Sequence, residues 1–357
     1  MDAFAPFYES IYIIIVFLFT IEYANNRKQS NIIENKTPAI LLCIFIVLFV
    51  GLRPVHPVFA DMVGYADVYE NSKVPTVFTW STTGSVLFDY MTAMLASWDI
   101  SISIYFVIIS ILYFVPMLMA CRKLFPQNTM LAFLVCLGAF STFSYGVNGI
   151  RAGIAGSIFL LALAYREKIL LVAFLLFASW GFHHSMNMPI AAFIVTLFFR
   201  NSKWYFYAWM VCLALSLAHV TYFQELFSDL TNDKGSMYLT GDIGWIGKTG
   251  FRFDFLIYSA VPVVIGYLVK FKYKLSDYYY DNILNMYLIT NAAWLLCMYA
   301  GFTNRIAYLS WFLYPILMIY PFFAIKNDRH PLVMRRKQVI WGHLIFTIFM
   351  MIYTTIR

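Results

Sequence analysis

The sequence predicts an all-α, polytopic membrane helix bundle with about twelve crossings, plus one helix that enters the bilayer region without spanning it. Three observations carry that expectation. Of the 357 residues, 62% are hydrophobic and only 12% charged, whereas soluble domains run at about 25% charged. Apolar runs close to the roughly 20 residues that a crossing needs recur along nearly the whole chain. Lys and Arg collect in every second joint between those runs, the pattern that cytoplasmic anchoring leaves.

In chain order, the runs place crossings near 8–24, 38–52, 101–120, 129–147, 150–165, 168–181, 186–199, 204–222, 254–269, 283–301, 306–324 and 338–356. The first, Tyr8–Tyr23, has neither a basic leader nor a small-residue cleavage site, so it is expected to be retained as a helix. Those at 150–165, 168–181 and 186–199 are short, which implies tilt, a break or continuation into their flanks. Residues 84–98 are apolar yet hold Asp89 and end at Trp98-Asp99. Counting them as a crossing would invert every later joint, so they are expected to form an outward interfacial or re-entrant helix. The long joints near 53–83 and 223–253 become outward loops on a single transmembrane domain, 1–357. The second carries Glu225, Asp229, Asp233 and Asp242, and loops of this length are usually lids or binding elements. No internal repeat is visible, which weighs against a secondary transporter.

Orientation follows from the joints. Arg27, Lys28 and Lys36; Arg122 and Lys123; Arg166 and Lys168; Arg200 and Lys203; Lys270, Lys272 and Lys274; and Lys326, Arg329, Arg335, Arg336 and Lys337 fall on one face. They are the larger share of the 25 basic residues, so that face is expected to be cytoplasmic and both termini outside. The net charge of +7 is divided among these small clusters. That is an anchoring pattern, and no nucleic-acid partner is expected. The five cysteines show no CxxC or metal spacing, so neither a disulfide nor a zinc site is expected.

Arg53, Arg151, Arg252 and Arg305 depart from the anchoring pattern: each borders an apolar run on the sparsely basic, outward face. Arg151, Arg252 and Arg305 also precede or open helices, where the dipole disfavours a cation unless an anion or acidic partner offsets it. Two readings stand. The arginines hold an anionic ligand such as a phosphate, or they meet lipid headgroups and pair with Asp61, Asp67, Glu70 or Asp254. Behind Arg151, Gly149, Gly153 and Ser157 recur every four residues, a stripe that lets another backbone approach closely. His183 and His184 lie at an outward joint. Either imidazole suits a general base toward a hydroxyl, or is simply hydrogen-bonded at the interface. The outward loop adds Asp61 and Tyr65. No DxD is present, so arginines rather than a divalent ion would stabilise a leaving diphosphate, and no metal or cofactor is expected. Asn291, at mid-depth, reads as an interhelical hydrogen-bond partner.

Five stretches carry a family likeness: Gly51-Leu52-Arg53 with Asp61 and Tyr65; Asn148-Gly149-Ile150-Arg151-Ala152-Gly153-Ile154-Ala155; Phe182-His183-His184-Ser185; Gly250-Phe251-Arg252-Phe253-Asp254-Phe255; and Asn304-Arg305-Ile306-Ala307-Tyr308. Together they make the chain resemble the EpsG-like branch of the Wzy-type polysaccharide polymerases, although Ala152 stands where family members often have glutamine. The resemblance implies a GT-C-like bundle in the bacterial inner membrane. It also implies an enzyme of O-antigen, capsule or exopolysaccharide synthesis that joins oligosaccharide repeats carried on polyprenyl diphosphate. A chain-length regulator and a flippase would be its partners. On that reading Arg151, Arg252 and Arg305, with Asn148, Asn304 and Asp254 beside them, hold the donor. Arg53 serves the acceptor diphosphate or closes the site, and His183 or His184, or else Asp61, takes the acceptor's proton. A flippase or exporter of lipid-linked saccharide, an O-antigen ligase-type transferase and a membrane acyltransferase are the rival readings.

Overall fold

A computed structural model describes residues 2–25, 37–72, 85–224, 250–325 and 329–356. Arg27, Lys28, Lys36 and Lys326, and most of the 223–253 loop with Glu225, Asp229, Asp233 and Asp242, lie outside the described residues. The described chain is helical, without strands. The helices are α1 (Tyr8–Asn25), α2 (Thr37–Gly51), α3 (Met62–Asn71), α4 (Val86–Ser97), α5 (Ile102–Leu124), α6 (Thr129–Leu137), α7 (Thr142–Val147), α8 (Ile150–Ala164), α9 (Ile169–Phe182), α10 (Asn187–Phe198), α11 (Ser202–Leu217), α12 (Phe253–Tyr267), α13 (Tyr278–Leu296), α14 (Thr303–Trp311), α15 (Tyr314–Phe323), α16 (Pro331–Met334) and α17 (Arg336–Ile356).

Among the described residues four stretches are long and apolar enough to cross a membrane: Phe4–Ala24, Ile102–Leu124, Phe253–Lys272 and Thr303–Phe323. Thr37–Gly51, Val86–Ser97, Ile150–Ala164, Ile169–Phe182 and His184–Phe198 are shorter apolar helices. The three runs expected to be short are short. α4 has 12 residues, roughly 18 Å at 1.5 Å per residue, against a hydrocarbon core of roughly 30 Å. α8, α9 and α10 fall below that length as well.

The helices gather into two compact units, Met1–Met186 with Phe322–Arg357, and Asn187–Pro321. In the first, α5 packs against α2 and α8, α8 against α9, and α9 against α4; α1 lies on α6 and α17. The small-residue stripe lets α8 approach both α5 and α7. Ser157 donates its hydroxyl to the Tyr113 carbonyl on α5, and a Cβ at Gly153 would collide with the carbonyl of Tyr145.

The run at 129–147 is one crossing by composition but two helices in space. α6 stops at Leu137, leaving terminal carbonyls without helical partners. Side chains from three elements satisfy them. Tyr12 on α1 donates to Leu137 O at 2.8 Å, Thr142 on α7 donates to Cys136 O at 2.6 Å, and His343 on α17 lies 3.0 Å from Val135 O. A broken helix is tolerated at membrane depth only where protein surrounds it in this way.

The second unit is built around α13, which is buried on nearly every side and touches α10, α11, α12 and α14. Polar pairs pin it. Asn282 Nδ2 donates to Thr196 Oγ1 on α10 at 2.7 Å. Asn291 accepts from Trp209 Nε1 on α11 at 2.8 Å and donates to Ser310 Oγ on α14 at 3.0 Å, the interhelical role expected of it. At one end of this unit Arg200 sits over the Tyr278 ring, and Lys270 pairs with Asp281 at 2.6 Å; Lys203, Lys272 and Lys274 belong to the same helix ends. Arg252 and Arg305, at the starts of α12 and α14, occupy the opposite end.

Because the α8 stripe works by absence of side chain, Gly153→Ala should destabilise the first unit by about 1–3 kcal/mol through overpacking. Thermal unfolding in detergent would show a lowered midpoint; an unchanged one would mean that the stripe is not a packing device.

Candidate functional site

In the first unit the outward-expected residues share one end of the helices. Gly51 ends α2 against the α5 backbone, where an added Cβ would stand 2.7 Å from Val107 Cα. That approach carries the next residues under the bundle surface. Arg53 is 4% exposed. Its guanidinium donates to Val50 O at 2.6 Å and Val147 O at 3.1 Å, and lies over the rings of Phe59 and Phe106. Both carbonyls belong to helix C-terminal ends, where the dipole favours a cation. Burial pulls its pKa down to about 9, which still leaves it charged at neutral pH.

Next to Val147, Asn148 caps the end of α7 and accepts the backbone N–H of Asp61 at 3.1 Å. Asp61 is the first cap of α3, so this bond fixes where α3 begins. One turn on, the Tyr65 ring meets Phe88 of α4 edge-on. Arg151, in the first turn of α8, lies 5.4 Å from the Tyr65 centroid and 4.9 Å from that of Phe88. Its NH1 is 3.7 Å from Asp89 Oδ1, with the two side chains 32% and 48% exposed. A pair so open to solvent contributes roughly 0–1 kcal/mol. The Nε of Arg151 is screened from solvent and makes no hydrogen bond among the described residues. The guanidinium is thus held by two ring faces and one loose carboxylate.

α9 brings the histidines to the same region. Its last turn lies on the first turn of α4, where a Cβ at Gly181 would stand 2.5 Å from Leu87, adjacent in sequence to Phe88 and Asp89. The helix ends at Phe182, His183 is extended, and His184 opens a short 3-10 turn with its ring stacked on Trp180 at 4.6 Å. Both side chains are half-buried.

In the second unit, Arg252 forms a two-pronged pair with Asp254, Nε to Oδ1 at 2.9 Å and NH2 to Oδ2 at 2.6 Å, and covers the Phe255 ring at 3.6 Å. The Asp254 side chain is only 2% exposed. Of the two readings for these arginines, internal pairing is therefore realised at Arg252 and, in part, at Arg151. Asn304 and Arg305 open α14 after Phe302, which has left-handed φ of 50°. Arg305 is exposed, with its guanidinium 5.0 Å from the Phe302 centroid.

The structure brings Asp61, Tyr65, Asn148 and Arg151 into one cluster, with Arg53 buried behind it and the histidines on the adjoining helix end. Asp89 was not foreseen as a member. Its signal was a single carboxylate in the apolar run 84–98, which reads as an interfacial group until α4 is seen to face Arg151.

Removing Arg252 strips a buried carboxylate of its bidentate cation. Arg252→Ala is expected to cost about 3 kcal/mol, and Arg252→Met with Asp254→Leu much less. Unfolding midpoints of the two variants in detergent decide it; equal losses would mean that the pair is not coupled.

No curated protein and no solved structure matches the chain. The family model described as EpsG family matches residues 36–357, a stretch that contains every site residue named above and nearly the whole chain. The match agrees with the earlier resemblance and points to a polysaccharide-polymerase type of role in a membrane. The chain belongs to the EpsG family.

Proposed function

We propose that the protein is a glycosyltransferase that joins oligosaccharide repeat units carried on polyprenyl diphosphate, with its reacting groups at the outer face of the cell's inner membrane. The observation that carries this reading is Arg151. It is part-exposed, seated between aromatic faces at a helix start, and matched among the described residues by one solvent-open carboxylate at 3.7 Å. A diphosphate offers more charge and better geometry than Asp89 and would displace it.

In the proposed reaction the acceptor hydroxyl attacks the donor's anomeric carbon. The bond from that carbon to the diphosphate oxygen breaks, and the leaving oxygen carries away the electron pair beside Arg151. Charge that develops there is what a preorganised cation stabilises. The hydroxyl proton passes to His183 or His184, with Asp61 as the other candidate base. Arg53, committed to two carbonyls, is assigned to positioning Asn148 and hence Asp61. In the second unit Arg305, exposed, is assigned to a phosphate of a lipid-linked substrate. Arg252 is assigned to holding the start of α12.

The segregation of Arg200, Lys203 and Lys270 from Arg252 and Arg305 supports an inward basic end and an outward site. The expected dozen crossings, an undecaprenyl carrier, a flippase and a chain-length regulator belong to the same proposal.

Purified protein supplied with lipid-diphosphate oligosaccharide should yield a product ladder, in the presence of a chelator as well. Arg151→Ala should lower the rate by about 100-fold, leaving single repeats. A normal ladder from Arg151→Ala would overturn the assignment. In cells, absence of the protein should leave single repeats on the outer leaflet; accumulation on the inner leaflet would favour a flippase instead.

A further inference from the structure

We propose that His219, Tyr299 and Phe251 form a saccharide-stacking subsite at the end of the second unit that carries Arg252 and Arg305. The proposal rests on the glycosyl-transfer reading and adds which residues would receive a sugar ring.

α11 closes in a full left-handed cap. The N–H of His219 bonds Ser216 O and the N–H of Val220 bonds Leu215 O, both at 3.0 Å, with His219 at φ 58°. Glycine is the residue that this position favours. A histidine is there instead, exposed, with its ring stacked on Tyr299 at 4.1 Å and 20°. Tyr299 is itself anchored twice. Its hydroxyl donates to Ser216 O at 3.0 Å, and the Gln224 amide oxygen, turned toward the chain, accepts the N–H groups of Ala300 and Tyr299. Phe251 meets the Tyr299 ring at 6.2 Å and Phe253 at 4.5 Å. The row of rings thus runs directly into the Arg252–Asp254 pair.

Aromatic side chains are common at the membrane–water boundary, and a belt accounts for an aromatic ring at this depth. It does not account for an imidazole held where a helix cap favours glycine, nor for a tyrosine pinned at both ring and backbone. Rigid flat faces of this kind suit the apolar C–H face of a pyranose, whose burial is a hydrophobic gain. The imidazole nitrogens of His219 remain for its hydroxyls. The part-exposed Arg252 guanidinium beside them adds the donors that its pair with Asp254 leaves over. The occupant is therefore a sugar ring of the lipid-linked saccharide, and the subsite determines recognition rather than bond making.

His219→Gly tests this without confusion from misfolding, because glycine relieves the left-handed cap. The unfolding midpoint should hold or rise. Binding of lipid-linked saccharide extracted from the producing cells should weaken about tenfold, while binding of bare polyprenyl diphosphate stays within twofold. Tyr299→Leu should show the same selective loss. Equal binding of the sugar-bearing lipid by wild type and His219→Gly would overturn the proposal, as would parallel loss of both lipids. If wild type makes no polymer ladder yet still prefers the sugar-bearing lipid through Tyr299, the polymerase reading falls while the subsite stands.

Discussion

A guanidinium group cannot leave water without a partner, and at the edge of a membrane bundle that constraint sorts four arginines into different kinds. Arg53 is buried and donates from NH1 and NH2 to the carbonyls of Val50 and Val147. Arg252 is nearly buried and is matched prong for prong by Asp254. Arg151 and Arg305 keep solvent contact and lie over rings, Arg151 with one loosely held carboxylate. The first two are part of how the ends of the bundle are closed. The last two retain the accessibility that an anionic ligand requires.

The same rule governs the backbone. Where α6 stops inside the first unit, carbonyls that water would otherwise solvate are taken up by Tyr12, Thr142 and His343 from three separate elements. The break therefore also knits α1, α7 and α17 to α6. It is the break, too, that leaves room for α7 and its cap Asn148, on which the start of α3 hangs. An interruption of hydrogen bonding at depth and the position of Asp61 at the surface are one structural fact seen from two ends.

Much of this was legible from periodicity and composition, because apolar runs and the helix ends that bound them are local properties. As helices, the expected 84–98, 150–165 and 338–356 match α4, α8 and α17 closely. The split of 129–147 was not legible, since hydropathy does not register a break whose loose carbonyls are satisfied by distant side chains. The site was legible as a set of residues and not as a set of roles. Arg53 and Arg151 look alike beside their apolar runs. Only the close approach of Gly51 to Val107 makes one of them internal. The pairing of Asp89 with Arg151 and the stacking of His219 on Tyr299 were not legible for the same reason, because each neighbour is acquired through packing between helices.

The small-residue stripe of α8 explains why Arg151 in particular stays loosely held. Ser157 ties α8 to the α5 backbone and Gly153 lets α8 approach the Tyr145 carbonyl on α7, so the first turn of α8 is set by backbone packing and not by any bond that Arg151 makes. Its cation is carried on the start of a rigid helix, where the dipole opposes it, and no strong internal pair is needed to keep it there. A bonded arginine such as Arg53 would lose its structural role on meeting a phosphate. Among the described residues Arg151 has only the weak Asp89 ion pair to exchange, so on the proposed reading a phosphate there would leave the fold intact.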